Sequence, residues 1–258
     1  MNIQLTTLNG EEDLKIWYKL YREVFTKDED NFSYELMKSW VSHNIFLFIE
    51  IDGERIGFIF ERINQKHKSA IIWYVGLLEE FRGKGIYPEA AKMNDDLLRA
   101  QGINIIISET EDPSYYTDEK ERIIALKRLN SYVNKIGKSF IVNSSVKYLR
   151  RMPPAENADV VDGVQSNYLL GFKVIGEPEG FDFIDKKLGN KISRKDFEKL
   201  YVIENLMEWG DADLNMARKK YRAVDEFLRN LQTNSVEYFN LVNIETWQKY
   251  LKDNELSF

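Results

Sequence analysis

Residues 69–112 constrain the fold of this chain more than any other stretch, because they hold a complete strand–loop–helix–strand unit. Residues 70–78 (AIIWYVGLL) are almost unbroken apolar and β-favouring, the pattern of a strand covered on both faces. Arg82-Gly83-Lys84-Gly85 then turns the chain. Pro88 suits the first position of a helix, where its missing N–H costs nothing. Residues 89–100 carry helix formers, and Gly102 lies where a left-handed C-terminal cap is expected. Residues 103–108 form the second buried strand.

A loop with two glycines and two cations that feeds a helix N-terminus is built for an anion. Outward N–H groups, the helix dipole and the charges of Arg82 and Lys84 all act in the same direction. The same residues also describe an exposed basic turn after a strand, and both readings stand on the loop alone. The loop is neither a GxxxxGK[ST] phosphate loop nor a GxGxxG dinucleotide fingerprint. It resembles the acyl-CoA pyrophosphate loop of the GNAT superfamily of N-acyltransferases, [QR]xxGx[GA], with Arg82 in the first place and Gly85 in the fourth. Tyr87 departs from the small residue usual in the sixth place, and can either crowd the diphosphate or stack over the cofactor.

Net charge is −6, from 36 basic and 42 acidic residues, which argues against a general nucleic-acid binder and mildly suits a cationic or amine substrate. The chain has no cysteine, so disulfides, thiolate catalysis and cysteine metal sites are excluded. His43 and His67 lie in polar surroundings and are expected on the surface, so no metal site is expected. No run approaches the ~20 apolar residues of a membrane span. The opening MNIQLTTLNG lacks a charged-then-apolar leader, so a cytoplasmic protein is expected.

In chain order, residues 3–8 alternate as a strand, and residues 11–25 space Leu14, Trp17, Leu20 or Tyr21, and Val24 as an amphipathic helix. Ser33 can cap a second helix running to about residue 43. Residues 45–51 and 55–63 are β-rich and joined by Asp52-Gly53, a hairpin signal. Strand, two helices, three strands, loop, helix, strand is the GNAT order, and its agreement with the loop sharpens the resemblance. The fold class it implies is α/β, with a GNAT-type mixed, mainly antiparallel central sheet flanked by helices and a C-terminal helical extension.

Residues 121–136 read as a helix ended by Gly137, and residues 139–143, 146–149 and 167–175 as further strands, the first and last forming a hairpin. Residues 153–162 are an acidic loop with prolines. The chain divides into residues 1–180, an acyltransferase-like domain, and residues 181–258, helical from residue 193 onward. In the extension, Leu214, Ala217, Tyr221, Val224, Leu228 and Leu231 make one apolar stripe. That stripe is either a homodimer face, a lid over the acceptor, or core packed on the parent sheet, and packing is the preferred reading.

The resemblance implies acetyl-CoA (or another acyl-CoA) as cosubstrate and a small-molecule or peptide amine as acceptor, without nucleic acid or membrane. It places Leu77 and Leu78 beside the pantetheine, and Arg82, Gly83, Lys84, Gly85, Ile86 and Tyr87 around the pyrophosphate. A backbone N–H near Gly76 or Leu77 would polarise the thioester carbonyl. Glu109 and Glu111 share one face if their strand persists that far, and either could deprotonate the amine. Solvated strand-end carboxylates are the competing reading. Trp17, Tyr18, Tyr21 and Trp40 could wall an aromatic acceptor pocket, or simply pack.

The superfamily's thiolate-protonating tyrosine sits four residues before the helix-ending glycine, where this chain has Val133. Tyr132 lies one residue earlier, about 100° round a regular helix. Either the helix is irregular there or the proton comes from elsewhere. A second class of protein also fits: a catalytically silent GNAT-fold module that binds acyl-CoA or a partner through its C-terminal helices.

Overall fold

The structure is a computed structural model that describes residues 2–25, 32–142, 145–151, 163–177, 181, 190–209 and 213–257. The chain separates into two compact units, Met1–Ile106 and Ile107–Phe258.

The first unit opens with β1 (Ile3–Thr7), α1 (Glu11–Val24) and α2 (Tyr34–Trp40). Ser33 caps α2 as its sequence suggests, with its hydroxyl accepting from the Leu36 N–H, but α2 ends at Trp40, short of residue 43. The strands β2 (Ile45–Ile51), β3 (Glu54–Asn64) and β4 (Ser69–Leu77) follow as an antiparallel meander with β1 on the outside of β2. Asp52 and Gly53 both take positive φ, 50° and 87°, which matches the right-handed twist of a two-residue hairpin. Helix α3 (Ile86–Ala100) ends at Gly102, whose φ of 77° makes the expected left-handed cap. Strand β5 (Ile105–Glu111) starts beside β4, the Asn104 and Ile105 N–H groups both donating to the Lys68 carbonyl.

Alternation along β2 sends Phe46 and Phe48 to one face of the meander and Leu47 and Ile49 to the other. The aromatic face packs on α1 and α2 around Trp17, which is wholly buried, touches the rings of Tyr21, Phe46, Phe58 and Phe60, and donates to the Leu47 carbonyl. The aliphatic face holds Ile56, Ile59 and Leu77 with Ile86 and Ala90 of α3. Two register shifts break the meander. One puts Ile56 opposite no residue of β2, and the other leaves Trp73 without a counterpart on β3. Each is a bulge that bends and twists its strand. The middle of β4 is correspondingly only partly covered, so the expectation of burial on both faces fails from Ile72 to Val75.

The second unit carries α4 (Glu119–Asn130), a π-helical turn (Ser131–Ile136), β6 (Ser139–Val142), β7 (Arg150–Arg151), β8 (Val164–Gln165) and β9 (Tyr168–Val174). The hairpin of β6 with β9 forms as expected, with Phe140 opposite Gly171. Residues 146–149 do not extend that sheet. The chain instead makes a separate two-stranded ladder of β7 with β8. The loop read at 153–162 falls outside the described residues.

After residue 190 come β10 (Lys191–Ser193), α5 (Arg194–Trp209), α6 (Leu214–Lys220), α7 (Arg222–Thr233), β11 (Tyr238–Val242) and α8 (Trp247–Asp253). The purely helical reading of this segment is corrected: β11 pairs with β6 and β10 with β11, so the order in this unit runs β5, β9, β6, β11, β10. The single helix read across the stripe is also corrected, because the chain breaks at Tyr221 into α6 and α7. Ala217, Tyr221, Val224, Leu228 and Leu231 are nonetheless all completely buried. The stripe is core of this same chain and offers no dimer face. A second cluster joins Leu126, Leu129 and Val133 to Trp247, Tyr250 and Leu251 of α8.

Candidate active site

In the first unit, β4 ends at Leu77, and Glu79–Phe81 make one 3-10 turn before the loop. Leu78 is tied to β3 by its N–H to the Ile56 carbonyl, 2.9 Å. Arg82 folds back over that junction, its Nε donating to the Leu77 carbonyl at 2.9 Å. No other hydrogen bond or ion pair engages its guanidinium among the described residues. Lys84 stands with Nζ 5.5 Å over the Phe81 ring.

Gly83 and Gly85 take φ of 75° and 77°, a left-handed conformation that side chains resist, and the space where a Cβ would stand is open at both. Helix α3 begins directly after Gly85, two residues earlier than Pro88, which therefore occupies the third helical position. The proline is still harmless, since first-turn N–H groups have no intrahelical partner. No side chain caps this helix, whose first turn, Ile86 and Tyr87 included, is its positive end. Ile86 is buried, and the Tyr87 ring packs against the aliphatic core of β2, β3 and β4. The side chain in the pattern's sixth place is thus partly absorbed by the core. The loop's open glycines, uncapped helix start and two cations suit a diphosphate.

In the second unit, β5 runs to Glu111, three residues past the expected end at 108, so Glu109 and Glu111 do lie on one face. Their surroundings differ. Glu109 accepts a hydrogen bond from the Tyr148 hydroxyl on Oε1 and pairs with Arg150 Nε at 2.7 Å on Oε2. Glu111 pairs with Arg128 of α4 and accepts from Tyr116. Burial and the Glu111 carboxylate push the Tyr116 hydroxyl well above its ordinary range.

Tyr132 lies in the π-helical turn. Its carbonyl accepts from the N–H of Gly137 and, at 2.9 Å, from that of Lys138. Its ring stacks on Phe140 with centroids 6.1 Å apart, and the Lys138 ammonium sits 4.8 Å from it. Burial pushes the hydroxyl upward, with Arg128 opposing and Glu111 reinforcing the shift. Val133, in the place usual for the tyrosine, is wholly buried in the core.

Of the aromatic residues read as an acceptor wall, Trp17 and Tyr21 are core, while Tyr18 and Trp40 are partly exposed at its edge. Sequence reasoning missed Tyr148, Arg150, Arg128 and Glu204, the last with Oε2 3.5 Å from the Tyr148 hydroxyl. Glu204 did leave a signal. It falls on the helical face of Phe197, Leu200 and Tyr201, where a charge interrupts an apolar stripe.

No group of acidic or histidine residues fit to hold a metal, and no helix long and apolar enough to cross a membrane, occurs among the described residues. Residues 14–116 match the model of the Acetyltransferase (GNAT) family. The match includes the loop, Glu109 and Glu111, and stops before Tyr132. No curated protein matches the chain. Among solved structures, a protein from the GNAT family of Bacteroides thetaiotaomicron superposes with a TM-score of 0.55 at 17% identity, over 82% of this chain and 99% of that one. The ribosomal-protein-S18-alanine N-acetyltransferase of Escherichia coli superposes at 0.46 and 11% identity, over 69% of this chain and 97% of that one. Residues 14–116, through the loop and β5, are thus similar to the acetyltransferase (GNAT) family, and the fold is shared with the Bacteroides protein.

Proposed function

We propose that this chain is an N-acetyltransferase that moves an acetyl group from acetyl-CoA to a primary amine of a small molecule or peptide. One observation carries the reading: two left-handed glycines and two cations lead into an uncapped helix start. Acetyl-CoA supplies the acyl group already activated as a thioester. The loop N–H groups and those of Ile86 and Tyr87, with Arg82 and Lys84, would hold its diphosphate. Leu77 and Leu78 would flank the pantetheine arm, and a backbone N–H near Gly76 or Leu77 would polarise the carbonyl.

Glu109 is the base assigned to the acceptor ammonium. Each of its oxygens has a named partner, and a carboxylate offers about four acceptor sites. Glu111 is the alternative, more exposed and committed to Arg128. Tyr132 is the acid assigned to the departing thiolate. A hydroxyl held above its ordinary range stays protonated at neutral pH and is ready to donate.

The test is thermal unfolding with acetyl-CoA, followed by thiol release in the presence of an amine panel. Ligand at about a hundredfold over its dissociation constant adds ~2.7 kcal/mol, or roughly 5–11 °C for a chain of this size. A shift with amine-dependent thiol release is expected. A shift without release across the panel favours the silent acyl-CoA-binding module, and no shift removes the loop assignment.

A further inference from the structure

We propose that Tyr148, Arg150 and Glu204 are a positioning set for Glu109, so that helix α5 belongs to the acid–base machinery and not to the core alone. The inference rests on the assignment of Glu109 as base and deepens it.

The set converges from three places in the second unit. Tyr148 precedes β7, Arg150 opens β7, and Glu204 lies on α5. The Tyr148 hydroxyl donates to Glu109 Oε1 and lies 3.5 Å from Glu204 Oε2, so a single O–H stands between two carboxylates. Tyr148 and Glu204 are only 5% and 3% exposed, which puts this arrangement out of reach of bulk water. The tyrosine cannot swing away, because its ring packs edge-on against Tyr201 and Phe227 at 5.7 and 6.0 Å. Tyr201 is itself pinned by its hydroxyl, which donates to the Leu149 carbonyl at 2.9 Å. Arg150 is likewise fixed, with its guanidinium 4.7 Å over the Tyr168 ring.

A core does not need this cluster. Burying charged groups costs several kcal/mol even when they are paired, and apolar residues of the same volume often stabilise a fold better. Two carboxylates and one guanidinium therefore point to chemistry more than to packing.

The set acts on Glu109 in two directions. Arg150 and the Tyr148 hydroxyl favour the ionised carboxylate and fix its two oxygens. Glu204 opposes them as a like charge across the same hydroxyl. Burial and the two carboxylates keep Tyr148 protonated throughout the working range, so it is a constant donor. Among the described residues, Glu111 on the same strand pairs with Arg128, Tyr201 donates to the Leu149 carbonyl, and Tyr168 lies under the Arg150 guanidinium. Tyr148 and Arg150 thus fix both oxygens of Glu109, while Glu204 sets a second carboxylate across the same hydroxyl.

Opposed inputs give the test its signs. The acid limb of kcat/KM for the amine is measured on the full chain for Tyr148→Phe, Glu204→Gln and Glu109→Gln, with acetyl-CoA binding followed by thermal shift. Removing the Tyr148 hydroxyl raises the proton affinity of Glu109, so the limb moves up by roughly one pH unit, and removing the Glu204 charge moves it down by a similar amount. Glu109→Gln loses turnover while its acetyl-CoA shift persists. Opposite displacements establish the set, because a purely structural role would lower activity without moving the limb in opposed directions. Profiles that superpose on the wild type, with Glu109→Gln inactive, overturn the positioning set and leave the base in place. Wild-type turnover in Glu109→Gln overturns the base assignment and the set together. Each displaced limb is decisive alone, so one variant that fails to fold does not remove the test.

Discussion

The backbone N–H of Gly137 bonds the carbonyl of Tyr132, five residues back, where an α-helix would bond four back. That one extra residue brings Tyr132 to the place, relative to the glycine, that a regular helix gives the residue four before it. It also explains why Val133 points into the core. A π-turn of this kind is energetically unfavourable in isolation and is found mostly at functional positions.

Tyr132→Phe is therefore expected to lower kcat about a hundredfold, or ~2.7 kcal/mol, with the acetyl-CoA thermal shift unchanged. The ring stays stacked on Phe140, so the loss would be of the proton alone. Steady-state turnover at saturating amine measures it. A loss below tenfold would assign the leaving proton to water or to another group.

Gly85→Glu is expected to abolish the acetyl-CoA thermal shift while the chain still folds. A side chain at φ 77° costs ~1–2 kcal/mol, and the carboxylate adds negative charge at the positive end of α3. Gly85→Ala separates the two effects. Its Cβ meets nothing within 4 Å, so it carries the strain without the charge and should bind more weakly but measurably. Equal binding by Gly85→Glu and wild type would show that the diphosphate lies elsewhere.

Local signals made the first unit legible. Ser33, Asp52-Gly53 and Gly102 each carry a turn or cap whose chemistry is written within four residues, and all three took the expected conformation. The loop was legible for the same reason. The site's charge partners were not, because Glu109 meets Tyr148 across 39 residues and Tyr148 meets Glu204 across a further 56. Nor does sharing a face make two residues share partners: Glu109 and Glu111 alternate correctly, yet enter separate clusters. Strand β11 was lost because its five residues, YFNLV, sit among helical segments, and only pairing with β6 fixes them as extended.

Leu228→Ala tests whether the 214–231 stripe is core or interface. Leu228 is fully buried within this chain, so the substitution should cost about 2–5 kcal/mol. Unfolding should fall by several degrees at any protein concentration. Sedimentation of the folded variant should match wild type. A change in mass with little change in stability would make the stripe an assembly surface after all.

The acid stability of the first unit should depend on Asp13. Its carboxylate accepts from the Asn9 N–H at 2.8 Å and pairs with Arg55 at 2.8 Å, linking the start of α1 to β3. The Arg55 hydrogen bond, opposed by partial burial, holds this carboxyl below its ordinary value. A group depressed on folding stabilises the native state above its unfolded pKa, and that contribution disappears as pH falls through the folded value. Asp13→Asn removes the charge at every pH. Its stability deficit relative to wild type should be complete at pH 6 and should begin to close below about pH 4, as pH falls toward the depressed folded value. Urea unfolding at pH 6 and at a series of values falling from pH 4 follows the closure, and a deficit that stays constant over the whole series would mean that Asp13 acts through its hydrogen-bond geometry, not its charge.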